Sequence, residues 1–197
     1  MQPITVALFG ISGSGKGTQA QLLEKALREK DPSHNVVHPE MGALMRSFMT
    51  SGTSLAGKIN EIVSSGGLVP SFSAIYLLAS YMDKNFTGGE HLILDGTCRR
   101  PEQSRALDEM MRLWGRKDLH AFVFKLSRET AKKRLQGRGR ADDLIDEVIE
   151  KRFSWYEEWV VPSFEELRKL GWTINEIDGE PDIETIHKNI LSVLRLA

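Results

Sequence analysis

The apolar and polar positions of this chain alternate between two periods. Ile4 to Phe9 is a short apolar, β-prone run that stops at Gly10, as a buried strand does. Thr18 to Lys30 then carries Leu22, Leu23, Ala26 and Leu27 at helical spacing, and Asp31-Pro32 ends it. Val36 to His38 is a second candidate strand. Ala43 to Thr50 and Ser54 to Ser65 are short helical stretches bounded by glycines, and Ser71 is placed to cap a helix that runs to Asn85. His91 to Gly96 is again strand-like, and Pro101 suits the first turn of a helix that extends to Trp114. Ala121 to Ser127 is a strand, with Ser127 as cap of the helix that follows until Gly137-Arg138-Gly139-Arg140 interrupts it. A long helical pattern spans Leu144 to Leu170, with Pro162 as its kink or break. Trp172 to Ile177 is a last strand and Ile183 to Leu196 a last helix.

This alternation predicts an α/β fold: a parallel sheet of about five strands with helices on both faces. Two segments are surplus to the alternation, residues 40–70 and 137–143. Both lie where α/β proteins place ligands, beyond strand or helix ends.

Composition narrows the function classes. A chain of 197 residues, 41% apolar and 27% charged, fits one soluble domain. A net charge of -1 gives no global basic field for nucleic acid or an anionic membrane, so any anion site must come from local clustering. Cys98 is the single cysteine, which excludes an internal disulfide and a multi-cysteine zinc site. The histidines, at 34, 38, 91, 120 and 187, show no metal-ligand spacing. No apolar run approaches a membrane span, and the N-terminus enters a strand directly without an apparent signal peptide. The expectation is a cytoplasmic monomer.

Local chemistry concentrates in "GISGSGKGT". Gly10, four residues, then Gly15-Lys16 is most of a phosphate-binding loop, set between a strand and a helix as the motif requires. Loop N–H groups and the helix N-terminus then face the anion, and Lys16 reaches the outer phosphates. Gly17 stands where a hydroxyl is expected, and Thr18 supplies one a residue later. Further along, Arg134 and Arg138 share a helix face with Arg140, Lys132 and Lys133 nearby. That density is either an anion-gripping lid or a solvated basic face balanced by Asp142 and Asp143. Asp95, ending an apolar strand before a glycine, is either a metal-site carboxylate or a turn residue.

The phrase G-x-x-G-x-G-K-G-T-Q resembles the adenylate kinase family of nucleoside monophosphate kinases, where glycine follows the lysine and threonine comes next. The resemblance covers nearly the whole chain and implies a three-layer phosphate-loop NTPase fold of short-lid type in one domain. It implies an acceptor-binding insert over 40–70 and a lid over 137–143. It implies ATP at Gly13, Ser14, Gly15, Lys16, Gly17, Thr18, Arg134, Arg138 and Pro181, with Glu180 and Pro181 offering carbonyls to the adenine. "HPEMGALMR" is similar to the family's acceptor segment, which points to Met41 and Arg46. "GGLVP" gives Gly67, Leu68 and Val69 for the acceptor base. "LILDGTCRRPEQ" gives Asp95 near magnesium, together with Thr18 directly or through water, and Gly96, Arg99 and Gln103 in the acceptor site.

By the same resemblance Arg138, Arg140 and Arg152 join Lys16 and Arg99 around the transferring phosphate. The implied reaction is reversible, Mg²⁺-dependent phosphoryl transfer from ATP to a nucleoside monophosphate, AMP first, with no zinc. The sequence departs from the family where Met41 replaces a threonine that helps select the acceptor base and Ala43 replaces an aspartate. UMP, CMP or a small metabolite are therefore alternative acceptors, and a catalytically weak nucleotide-binding module is a further alternative. One extra residue between Asp143 and Arg152 is worth about 100° on a helix, so either the loop absorbs it or Arg152 points elsewhere.

Overall fold

A computed structural model describes residues 1–138 and 145–196, with Arg138 described by its backbone alone. Five strands, β1 (Thr5–Gly10), β2 (Val36–Val37), β3 (His91–Asp95), β4 (Leu119–Lys125) and β5 (Thr173–Asp178), form one parallel sheet in the order β2-β3-β1-β4-β5. The helices are α1 (Lys16–Lys30), α2 (Met41–Met49), α3 (Ser54–Ser64), α4 (Ser71–Asn85), α5 (Pro101–Leu113), α6 (Arg128–Arg138), α7 (Asp146–Trp155), α8 (Val161–Lys169) and α9 (Ile183–Val193).

Side chains alternate across a strand, so each central strand feeds two cores. Ala7 and Phe9 join Leu92, Leu94, Ala121 and Val123 on one face, covered by α4, α5 and α8 through residues such as Leu78, Leu107, Met111 and Phe164. Val6, Leu8, Ile93, Phe122 and Phe124 fill the other face under Leu23 and Leu27 of α1 and Ile186 and Ile190 of α9. Helices on both faces explain why β1 and β3 read as unbroken apolar runs. Leu107 and Met111 are fully buried, and truncating either to alanine costs about 2–5 kcal/mol.

The chain leaves β1 through α1 toward β2 on one side, and leaves β3 through α5 toward β4 on the other. α1 and α5 lie on opposite faces, so a crevice opens beyond the carboxyl ends of the adjacent strands β1 and β3. The loop after Gly10 and the turn after Asp95 both empty into it.

Several local expectations are revised. α1 begins at Lys16, two residues earlier than its apolar periodicity, because left-handed Gly15 (φ 88°) turns the loop directly into the helix. Ser71 does not cap α4. Pro70 holds the cap position, with its carbonyl accepting from Ser73, and the Ser71 hydroxyl donates to Glu102 Oε1 at 2.6 Å. Ser127 does cap: its Oγ accepts from Thr130 N at 3.2 Å. Gly137-Arg138 remain inside α6, while residues 139–143 lie outside the described part.

The long pattern around Pro162 does not break. A π-helical turn, Tyr156–Val160, joins α7 to α8, and Val161 N donates to the carbonyl of Tyr156, five residues back. Pro162 cannot donate to residue 158, and the wider turn absorbs that missing bond.

At the opposite end of the sheet from the crevice, the fold gathers two of the histidines whose spacing promised nothing. His91, His34 and Asp31 bring ligand-type atoms within 4.8 Å of one another. Most of the polar atoms there are already engaged, although His91 Nε2 is buried without a hydrogen bond among the described residues. Ile4 N donates to His91 Nδ1 at 3.0 Å, so a neutral ring carries its proton on Nε2, 3.4 Å from Asp31 Oδ2. Asp31 also takes the N-terminal ammonium at 3.2 Å, His34 Nδ1 at 3.0 Å and the Ser33 hydroxyl. A metal-ligating imidazole normally donates its other N–H, whereas His91 accepts there. The cluster is a polar knot tying the N-terminus to the end of α1.

Candidate active site

The crevice widens into a cleft of about 800 Å³ lined by the loop after β1, the turn after β3, the α2 and α3 region, α6, α7 and the start of α9. One wall is the phosphate loop. Gly13 has φ 87°, and a Cβ there would lie 2.5 Å from the Ala131 carbonyl oxygen of α6, so the loop lies against that helix with no room for a side chain. Lys16 Nζ donates to the carbonyls of Gly10 (2.7 Å) and Ile11 (3.1 Å) and to Ser14 Oγ (3.2 Å), which holds the ammonium over its own loop. Ser12 to Thr18 all face the cleft.

The floor is Asp95, 8% exposed. Burial pushes its carboxyl above the ordinary range and Glu40 adds to this, against the opposing pull of Lys16, His38 and Arg99. A Cβ on Gly17 would stand 3.5 Å from Asp95 Oδ2. Glycine therefore leaves the carboxylate clear of its helix, and the hydroxyl arrives from Thr18 instead.

The opposite wall carries cations. Arg46 on α2 pairs with Glu40 at 3.1 Å. Arg99 reaches the cleft from the turn before α5, and burial and then the charge of Arg152 lower its pKa while Asp95 opposes them. Arg152, on α7, shares that wall, so the extra residue before it does not turn it away. Arg134 also lines the cleft and donates to the Glu180 carbonyl at 3.4 Å. That engages one of the two carbonyls expected for an adenine, and Pro181 lines the cleft beside it.

Gln103, 3% exposed, accepts from Arg99 N at 2.7 Å through Oε1, and its Nε2 contacts Ser71 Oγ at 3.4 Å. Met41, Gly67, Leu68, Val69 and Gly96 line the same region. The side chain of Arg138, and Arg140 entirely, lie outside the described residues.

The model of the adenylate kinase family matches residues 8–171, from β1 to the turn after α8. The chain belongs to the adenylate kinase family. It is 37% identical over 161 residues to an adenylate kinase of Mycobacterium ulcerans, covering 81% of this chain and 83% of that protein. It is 34% identical over 178 residues to an adenylate kinase of Mycolicibacterium smegmatis, covering 90% and 93%. An adenylate kinase of Chloroherpeton thalassium aligns over 98% of both chains at 28% identity.

Seen as an adenylate kinase family member, the chain keeps the glycine-then-threonine loop and departs from the family motif at Met41 and Ala43. Met41 is 3% exposed, so a thioether replaces a hydroxyl there, and Met45 and Met49 continue the same face of α2 into the cleft. Exposed Ala43 does not line the cleft. Of the lining residues that the sequence did not single out, two carry polar or aromatic groups next to the cleft's arginines. Glu40 sits just before Met41 and pairs with Arg46, and Trp155 lies three residues after Arg152 on the same helix. The helical offset of Trp155 from Arg152 was a usable signal. Glu40 offered none, because its partner is set by how α2 starts.

Proposed function

We propose that this protein catalyses reversible transfer of the ATP γ-phosphate to AMP, giving two ADP. The observation that carries the proposal is a single cleft with the Lys16 loop on one wall and Arg46, Arg99 and Arg152 on another. Residues 40–70 act as the acceptor arm and 137–143 as the lid, in a cytoplasmic monomer. Among the described residues no helix is long and apolar enough to cross a membrane.

The acceptor oxygen of a nucleoside monophosphate is already anionic near neutral pH, so no general base is required. The chemistry asks for alignment and charge neutralisation. Lys16 and the amides of Gly13 to Thr18 hold the β- and γ-phosphates at the α1 N-terminus. Arg46 and Arg99 hold the acceptor phosphate. Arg152, with Arg134, Arg138 and Arg140, gathers positive charge where the transferring group carries its own. Closure of the two inserts excludes water that would otherwise hydrolyse ATP.

Magnesium fits the donors present. Asp95 is a buried carboxylate whose raised pKa marks an unfavourable burial of charge that a hard cation would relieve, and Thr18 lines the cleft above it. Asp95 and Thr18 are the residues that would hold magnesium, directly or through water, and bound with the nucleotide it would supply positive charge to the phosphates.

The test is ADP formation across an acceptor panel of AMP, UMP, CMP and shikimate, with calorimetric ATP binding alongside. AMP is expected to give the highest kcat/KM. A higher value for UMP or CMP, the alternative that Met41 raises, overturns the AMP assignment. Tight ATP binding with no transfer to any acceptor makes the protein a nucleotide-binding module instead. Lys16→Ala is expected to lower kcat at least about a hundredfold with an unchanged melting curve.

A further inference from the structure

Arg99 and Arg100 are consecutive, and each lies over an indole. The Arg99 guanidinium carbon is 5.3 Å from the Trp155 ring centre, and that of Arg100 is 4.4 Å from the Trp159 ring centre. The two tryptophans are four residues apart, where α7 passes into the π-helical turn. Trp155 lines the cleft and Trp159 does not. Trp155 has a second engagement: its Nε1 donates to the Gly66 carbonyl at 3.3 Å, in the link between α3 and α4. Lys151, one turn earlier, reaches the Ser65 carbonyl at 3.5 Å. A Cβ on Gly66 would lie 3.3 Å from Val148 Cγ1, so this link packs closely against α7.

We propose that Trp155 is a positioning residue for the acceptor phosphate: its ring face sets the Arg99 guanidinium, and its N–H ties the acceptor arm to the helix that carries Arg152. The inference rests on the phosphoryl-transfer reading above. Two arginines on one wall repel each other, and an aromatic face beside one of them offsets that repulsion without neutralising either charge. A carboxylate in that place would hold Arg99 more tightly but would compete with the acceptor phosphate for it.

The test measures steady-state KM and kcat, with AMP affinity by calorimetry, in wild type, Trp155→Leu, Trp155→Phe, Arg99→Ala and the Trp155→Leu/Arg99→Ala double variant. Trp155→Leu is expected to raise the AMP KM and Kd about three- to thirtyfold and to leave the ATP KM unchanged. Trp155→Phe keeps a ring face but loses the N–H bond to Gly66, and its AMP affinity is expected to fall between those of wild type and Trp155→Leu. In the Arg99→Ala background the leucine change adds a smaller AMP loss than it does in wild type. Trp155→Gln takes the place of the leucine variant if that variant melts early.

Wild-type AMP affinity retained in Trp155→Leu overturns the proposal, as do equal losses for ATP and AMP or full additivity with Arg99→Ala. Wild-type turnover is read in the same assay. An inactive wild type defeats the phosphoryl-transfer reading, while an active wild type with an indifferent Trp155 defeats only this inference.

Discussion

Arg99 and Arg100 are identical in chemistry and adjacent in sequence, yet the fold gives them different neighbours. Arg99 faces the cleft, with its charge beside Asp95 and Arg152. Arg100 caps α5 from outside the cleft, stacked on Trp159, with Nε buried and lacking a hydrogen-bond partner among the described residues. Arg99→Ala is therefore expected to lower kcat/KM for AMP at least about tenfold more than Arg100→Ala, a gap of about 1.4 kcal/mol in transition-state binding. Equal losses in steady-state assays would count against the assignment. The family resemblance named Arg99 from the sequence, and in the structure Gln103 Oε1 holds the Arg99 amide. The role of Trp155 was not legible, because its partners lie 56 and 89 residues away along the chain.

At the level of elements, the glycines separate by the space around them. Gly13 lies in the left-handed region against the α6 backbone. Gly13→Ala meets a conformational cost of roughly 1–2 kcal/mol and a clash with a carbonyl that cannot rotate away. It is expected to melt earlier than wild type and to lose most ADP formation, since the loop must leave α6. Gly17 has no positive φ and nothing nearer its would-be Cβ than Asp95 Oδ2. Gly17→Ala is expected to melt at or above wild type, because alanine favours the helix, while its methyl narrows the approach to Asp95. Differential scanning fluorimetry with the coupled assay separates the two effects. Strands, helices and the loop were legible because their periodicity is local. The start of α4 and the π-helical turn were not, since each depends on which backbone partner is available.

For the whole molecule, part of the acid response comes from groups far from the cleft. Burial lowers the His91 pKa, so between that value and the unfolded value of about 6.5 the folded state binds fewer protons than the unfolded chain. Stability therefore falls as pH drops below about 6.5. Asp31 is shifted well below the ordinary carboxylate range, led by the Ser33 hydroxyl with help from the N-terminal ammonium and His34. Its contribution is fully present above about pH 4 and is lost as pH falls further. His91→Asn keeps an acceptor for Ile4 N–H without a titrating ring. Its melting temperature is expected to change less between pH 7 and 5 than that of wild type. His187, also lowered by burial, leaves a residual slope in both proteins. An equal slope in the two proteins would remove His91 from the account.

The linear chain carried the βα alternation, the phosphate loop, the displaced hydroxyl and the family, because each is written in residues a few positions apart and needs only backbone periodicity to be read. Folding alone set Trp155 under Arg99 and knotted His91 to Asp31. Those pairings join residues from different elements. Their geometry depends on how helices pack across a twisted sheet, and nothing in the local spacing of either partner encodes it.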